Sequence, residues 1–470
     1  MPYAIYPPIG FARVGNSPDH FLGSESPGSL GIEIDQQGQE VPVTRFKDAA
    51  FRVKRKGVRF HIFEVGGGQT PRPAVLPAGA VVRWKVSVAN RKDAIHRPAG
   101  PPAVPTAVHD DPTRQDRIIS AAAQVAGADA ASASLDGAYR GTPVHLGDVS
   151  TDHAQRLIFL GGSGHSASTT VPPDPIGASF YTNPGWFDDV CDGSIEATIE
   201  LPGQAPVDAA GAWVVATPPD FAPPAQGVVT LYDVIRQVGL DQGWIPAIGT
   251  PWFQTDVKPM IDRASRLRFV DGTATWAAIS QDWEALADPS PAGQPLRQNT
   301  VAQVREVESA LNDFTLRDWQ NAALDAYAAG NFQAGAAPDR GDCDIITRTA
   351  LDETVGQGFF PGIEAGINVT DPQAYATPFE FRFRPGGMRP GDATAHMAQP
   401  WQADFLKCGA GWWPAQRPAS LGQHGGGTKP WLRPNMSHAA LVQRAMQLGV
   451  ATPDGAGNVF EEGRDPALGA

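Results

Sequence analysis

Glycine and proline interrupt this chain throughout, with 51 glycines and 44 prolines among 470 residues. Glycine costs backbone entropy to hold in regular structure, and proline lacks the amide donor that helices and sheets use. A chain punctuated this densely spends much of its length in turns and irregular connections. The regular segments between them are short enough to be read singly. Residues 51–65, FRVKRKGVRFHIFEV, alternate apolar and basic positions, and Val58, Phe60, Ile62 and Glu64 keep a period of two with one break. VVRWKVSVA (81–89) and AWVVAT (212–217) have the β-branched and aromatic content of strands. Residues 97–112, RPAGPPAVPTAVHDDP, read as a proline-rich linker or loop, and residues 121–134 as an Ala-rich surface insertion of ambiguous structure.

Helical signals come later. TLYDVIRQVGL, from Thr230, reads as a helix. The strongest signal spans residues 300–329, with Val301, Val304, Val307, Leu311 and Leu316 at roughly helical spacing and Gly330 placed as a C-cap. Residues 438–448 form a third candidate, stopped by Gly449. There is no internal repeat. The pattern predicts an α+β fold with a β-rich N-terminal half and segregated helices in the C-terminal half. The expected division is a β-rich domain over 1–235 and a mixed helical and irregular region over 236–470, able to form one compact unit with it.

A chain of this length can bury a large core, and 42% hydrophobic content suits a globular protein. The net charge of −13 disfavours nucleic acid and anionic membranes as partners. No stretch approaches transmembrane length, and the N-terminus lacks the basic and apolar regions of a secretory signal. Cys191, Cys343 and Cys408 are widely spaced and include no CxxC pair, which disfavours a zinc or disulfide framework. A reducing, cytoplasmic location is expected, with leaderless export left open.

One stretch carries chemistry. Residues 400–418 read PWQADFLKCGAGWWPAQRP and hold one of the three cysteines and three of the 12 tryptophans. Asp404 lies four residues before Cys408, which on a helix puts the carboxylate beside the thiol on one face. The plain reading of Cys408 is a buried free thiol. The richer one is a carboxylate, a thiol and indoles grouped to build a cofactor from side chains. Rival motifs fail: GGGQTP lacks the order of a phosphate loop, GHSAS lacks the last glycine of a nucleophile elbow, and His153 and His165 are too scattered to suggest a metal.

The stretch resembles the bacterial amino-acid oxidases that include lysine ε-oxidase and glycine oxidase. The resemblance extends in order through IGFARVGNSPDHFLGSESPG (9–28), RFKDAAFRVKRKGVRFHIFEV (45–65), WKVSVANRKDA (84–94), LIFLGGSG (157–164) and YTNPGWFDDVCDGSIEATIELPG (181–203). It continues through AWVVATPPDFAP (212–223), VTLYDVI (229–235), FFPGIEAGI (359–367), RPGDATAHMAQPWQADFLKC (389–408) and WWPAQRP (412–418), and is weaker over about 244–350.

The resemblance implies a cysteine tryptophylquinone, a tryptophan oxidised and joined to a cysteine. Cys408 matches the cross-linked cysteine and Asp404 the aspartate needed for assembly. The tryptophan partner lies downstream in the family, and beyond residue 418 this chain has Trp431 alone. The implied activity is oxidative deamination of a primary amine or amino acid by dioxygen, releasing ammonia and hydrogen peroxide. The implied partners are a flavoprotein maturase and further copies of the chain in a homo-oligomer.

Asp404 would take the thiol proton during assembly, and either Asp404 or His424, in the loop LGQHGGGTK, would act as base. Tyr181 is carried as a pocket residue, and Glu364, in a matched block, has no assigned role. Trp412 and Trp413 read as packing residues, and Cys191 and Cys343 as core residues. Residues 441–451, LVQRAMQLGVA, lack a tryptophan found there in the family. This motivates an alternative: the same fold without an assembled quinone, binding a ligand or partner or running different chemistry.

Overall fold

The computed structural model describes residues 2–66, 68–100, 102–176, 181–272, 274–311, 315–338, 341–356, 365, 367–376, 379–407, 416–433 and 436–468. The first half is a 15-stranded sheet. Its main strands are β1 (Ile9–Arg13), β2 (Arg55–Gly66), β3 (Val81–Asn90), β4 (Ile119–Ala126), β5 (Ala133–Tyr139), β6 (Thr142–Thr151), β7 (Leu157–Gly161), β8 (Cys191–Glu200) and β9 (Ala212–Thr217). They lie side by side in the order β5–β6–β7–β2–β1–β9–β8–β3–β4. Along this path β9 and β1 run parallel, with Trp213 opposite Ile9. The sheet curls until its end strands meet: a Cβ on Gly137 of β5 would sit 2.8 Å from the Ile119 side chain of β4. Glycine is required at that approach. The curl encloses one core, which includes Phe60, Trp84, Val86, Leu135, Phe159 and Ile195.

The helices follow: α1 (Leu231–Asp241), α2 (Lys258–Arg266), α3 (Gln294–Leu311), α4 (Asp318–Ala328), α5 (Asp342–Asp352), α6 (Gln402–Lys407) and α7 (His438–Arg444). Thr230 starts α1 with a reciprocal cap: its hydroxyl accepts from the Asp233 amide while Asp233 accepts from the Thr230 amide. Arg263 of α2 donates to the same carboxylate at 2.9 Å and ties the two helices together. A second core takes Ile9, Phe11 and Val215 from the sheet together with Val257, Leu324, Trp401, Trp431 and Val459. The strand-rich and helical halves therefore share one apolar cluster. Among the described residues no helix is long and apolar enough to cross a membrane.

The α+β expectation holds, with strands where the alternation placed them. Two local readings change and one narrows. The Ala-rich segment is no insertion, because its first part is β4, paired to β3 from Arg83↔Ala126 to Asn90↔Ile119. Of the two readings of residues 97–112, linker or loop, the described residues bear out the loop and not a free linker, since Arg97 donates to the Ala395 carbonyl at 3.0 Å and the Thr106 amide donates to Asn368 at 2.9 Å. The long helix over 300–329 is two helices, α3 and α4, and Gly330 at φ +83° follows α4 as its cap. Cys191 and Cys343 are buried in the core, as expected.

Candidate active site

The site is built around a strap of turns, residues 391–401, that leads into α6. The strap forms no strand or long helix, so buried acids of the sheet hold its backbone. Asp192 of β8 accepts from the Thr394 amide at 2.8 Å, the Thr394 hydroxyl at 2.7 Å and the Trp213 indole at 3.0 Å. Burial pushes its carboxyl up to about 6 against those hydrogen bonds. Asp188 accepts from Lys92 Nζ at 2.5 Å, Asn90 Nδ2 at 2.9 Å and the Trp401 amide at 3.0 Å. Lys92 also donates to the Ala398 carbonyl at 2.9 Å. Asn183 donates to the Gln399 carbonyl at 2.9 Å, and Ser166 to the Gln402 side chain at 2.9 Å.

The strap delivers α6 against Trp431. Asp404 and Phe405 on α6 are both fully buried. The Phe405 ring meets Trp401 edge-on at 5.0 Å and Trp431 at 6.3 Å. Trp431 is fully buried, and its indole N–H donates to the Gly449 carbonyl at 2.8 Å. Phe221 packs on the indole at 4.8 Å, and the Arg417 guanidinium lies 5.9 Å over it. Arg417 also donates to the Phe405 carbonyl, linking helix to indole. Cys408, next in sequence after α6, lies outside the described residues, as do Trp412, Trp413 and Glu364.

Tyr181 sits at the far side of the same strap. Its hydroxyl meets His396 Nδ1 at 3.2 Å, and the Arg97 guanidinium lies 4.4 Å over its ring. Burial, and then Arg97, push His396 down to about 4, so its imidazole is neutral near pH 7. Burial raises the Tyr181 phenol, with Arg97 opposing. A neutral phenol–imidazole pair under a fixed cation can orient a polar ligand without taking its proton. His424 stands apart: its side chain is 62% exposed, pairs with Glu462 at 3.3 Å and stacks on Phe460 at 4.5 Å.

Two hollows share part of their lining, and neither is lined by Asp404, Trp431, Tyr181 or His396. One, of about 690 Å³, is lined by groups that include Tyr232, Arg236, Arg348, Asp352 and Glu353. A narrow one of about 40 Å³ shares Ser29, Leu30, Pro223, Gln226 and Glu353 with it and extends to Asp220 and Gln416. Asp220 precedes the Phe221 that covers the indole, and Gln416 follows the stretch that holds Cys408 in the sequence.

The family model for the L-lysine epsilon oxidase N-terminal domain matches residues 6–216, and that for the C-terminal domain matches residues 298–424. The chain belongs to the L-lysine epsilon oxidase family. The L-lysine 6-oxidase of Marinomonas mediterranea is 24% identical over 525 residues, covering 87% of this chain and 71% of that protein. The crystal structure of the L-Lys epsilon-oxidase from the same organism superposes with a TM-score of 0.80 at 20% identity, covering 98% of this chain and 94% of that one. The structure of that enzyme's Schiff base intermediate with L-Lys gives 0.81 at 19% identity, covering 98% and 95%. The resemblance first seen in ordered sequence blocks is therefore family membership, and the superpositions give the same fold.

Sequence reasoning pointed to Asp404, Trp431 and Tyr181 and assigned no role to Lys92, Asp188, His396, Arg97 or Phe221. All of these but Arg97 stand inside matched blocks, which was the available signal.

Proposed function

We propose that this family member is an amine or amino-acid oxidase whose cofactor is a cysteine tryptophylquinone formed from Trp431 and Cys408. The observation that carries this reading is the enclosure of Trp431. Its indole is fully buried, fixed by Gly449, and packed on Phe405 of the helix that bears Asp404 and ends next to Cys408. A dry, oriented indole packed on the helix that bears Asp404 suits a site where one ring must be oxidised and cross-linked. The L-lysine oxidase relatives supply the reaction class, and a lysine-like amine is the first substrate to test.

Such a quinone supplies an electrophilic carbonyl and a sink for two electrons. Asp404 takes the proton of the Cys408 thiol as the thioether forms, and later the proton next to the substrate nitrogen. Tyr181 and His396 orient the substrate's polar end. Phe221, Phe405 and Trp401 exclude water from the indole. The base is assigned to Asp404 in preference to His424, whose exposed ring faces Glu462 and Phe460. Overall, amine, dioxygen and water give aldehyde or keto acid, ammonia and hydrogen peroxide. Dioxygen is the terminal oxidant, a separate flavoprotein carries out maturation, and the working enzyme is a cytoplasmic homo-oligomer.

The test is a peptide map of protein made together with a flavoprotein maturase of this family. A Cys408 peptide joined to a Trp431 peptide, with two oxygens gained and hydrogens lost, is the expected result. Separate, unmodified peptides would overturn the proposal. Cys408→Ala should remove the quinone absorbance and peroxide release together.

A further inference from the structure

Lys92 and Asp188 are 96 residues apart in sequence, yet form an ion pair with side chains 1% and 0% exposed. Burying two charges is expensive, and a well-packed apolar pair often stabilises a fold as well or better. What an apolar pair cannot do is grip backbone polar atoms. Here Lys92 Nζ holds the Ala398 carbonyl and Asp188 Oδ2 holds the Trp401 amide, two points three residues apart on the strap. Asn90 completes the clamp by donating to both the side chain and the carbonyl of Asp188.

Asp192 holds the strap at Thr394, Arg97 at Ala395 and Met397, and Asn183 at Gln399, while Lys92 and Asp188 grip its last residues before α6, which spans only Gln402–Lys407. A helix that short has no stability of its own, so the direction in which it projects Asp404 is set by what precedes it and by what Phe405 packs on. The clamp therefore sits where a small shift would be passed directly to Asp404 and to the residue after Lys407.

We propose that Lys92 and Asp188 are positioning residues for cofactor assembly: they hold the strap so that α6, with Asp404 on it, keeps its place against Trp431. This rests on the quinone reading above. The pair acts through the backbone at Ala398 and Trp401. A 1 Å error in such an alignment can cost about a hundredfold in rate.

The experiment uses the full chain, co-expressed with the maturase, as Lys92→Met, as Lys92→Met/Asp188→Asn and as Val86→Ala. The double variant removes both charges and keeps the fold if the single one does not. Val86→Ala lies on β3, the strand that precedes Lys92, and weakens the sheet core. Two readouts are taken: the cross-linked fraction by peptide map, and hydrogen exchange over residues 398–407 in unmatured protein. Both Lys92 variants should exchange about tenfold faster there and lose about nine-tenths of the cross-link. Val86→Ala should keep a parental cross-link despite a lower Tm.

Parental exchange in the strap, or a parental cross-linked fraction in a folded Lys92 variant, would overturn the positioning role. So would an equal loss of cross-link in Val86→Ala, since stability would then be the cause. If the parent chain itself stays uncrosslinked, the quinone reading fails and the assembly role fails with it. The exchange data then decide separately whether the clamp holds the strap.

Discussion

Replacing Asp189 with asparagine should stabilise the protein near pH 8 and leave it almost unchanged near pH 4. Asp189 is 1% exposed, and its Oδ2 accepts the His165 amide at 3.0 Å, while its Oδ1 is enclosed without a hydrogen-bond partner. Burial first, and the neighbouring Asp188, push the carboxyl up to about 7, against backbone hydrogen bonds from His165 and Gly164 that lower it. The unfolded chain releases this proton near pH 4. Between those values the folded state binds more protons than the unfolded one, so stability falls as pH rises. The favourable contribution is fully present below the unfolded value and is lost as pH rises through about 7. A shift of roughly three units at about 1.4 kcal/mol each bounds the effect near 4 kcal/mol, and relaxation of the site should leave about 2–4 kcal/mol. Asparagine carries no charge at any pH, and its amide oxygen can still accept from His165. Urea unfolding of parent and variant at pH 4, 6 and 8 measures the difference directly. It should widen with pH in favour of Asp189→Asn. A difference that stays constant across the range would refute the assignment of a buried proton to Asp189.

Three further outcomes follow from the site. Trp431→Phe should abolish the cross-linked peptide and cost roughly 1–3 kcal/mol, because the buried Gly449 carbonyl loses its donor; peptide mapping and urea unfolding check the two parts. Phe405→Ala, which removes the ring between Trp401 and Trp431, should cost about 3–5 kcal/mol and lower the Tm, with a smaller cross-linked fraction. His424→Ala should change turnover by no more than about twofold, as expected for an exposed position; a loss beyond about tenfold in a peroxide-release assay would return the base role to His424.

The strands were legible where side chains alternate or are β-branched, as in β2, β3 and β9. β4 was not, because Ala121, Ala122 and Ala123 have little strand preference of their own. Their conformation comes from pairing with Val88, Ser87 and Val86 of β3, a partner remote in sequence. The helix over 300–329 was overextended for a related reason. Its apolar spacing runs on through Leu311 and Leu316, but α3 ends at Leu311 and α4 begins at Asp318, where the Gln320 side chain accepts from the Arg317 amide at 3.0 Å.

The site divides along the same line. Asp404 and Trp431 are proposed from the sequence because the quinone chemistry would need such side chains, and local spacing with the family blocks points to them. The strap that aims α6 could not be read this way. Of its anchors, Ala398 offers a carbonyl and Trp401 and Ala393 offer amides, groups that nearly every residue type carries. The specificity lies at the other end of each bond, in Lys92, Asp188 and Asp192, far away in sequence and indistinguishable there from ordinary charged residues. Burial is what separates them, and burial appears only once the sheet has curled. A strap held by main-chain atoms thus tolerates wide sequence change along its own length while remaining sensitive to charged residues outside it, Lys92, Asp188 and Asp192 among them, with Arg97 on the Ala395 and Met397 carbonyls. Substitutions at these residues should therefore misplace α6 more than most changes within residues 391–401 would, an asymmetry that hydrogen exchange over residues 398–407 can measure.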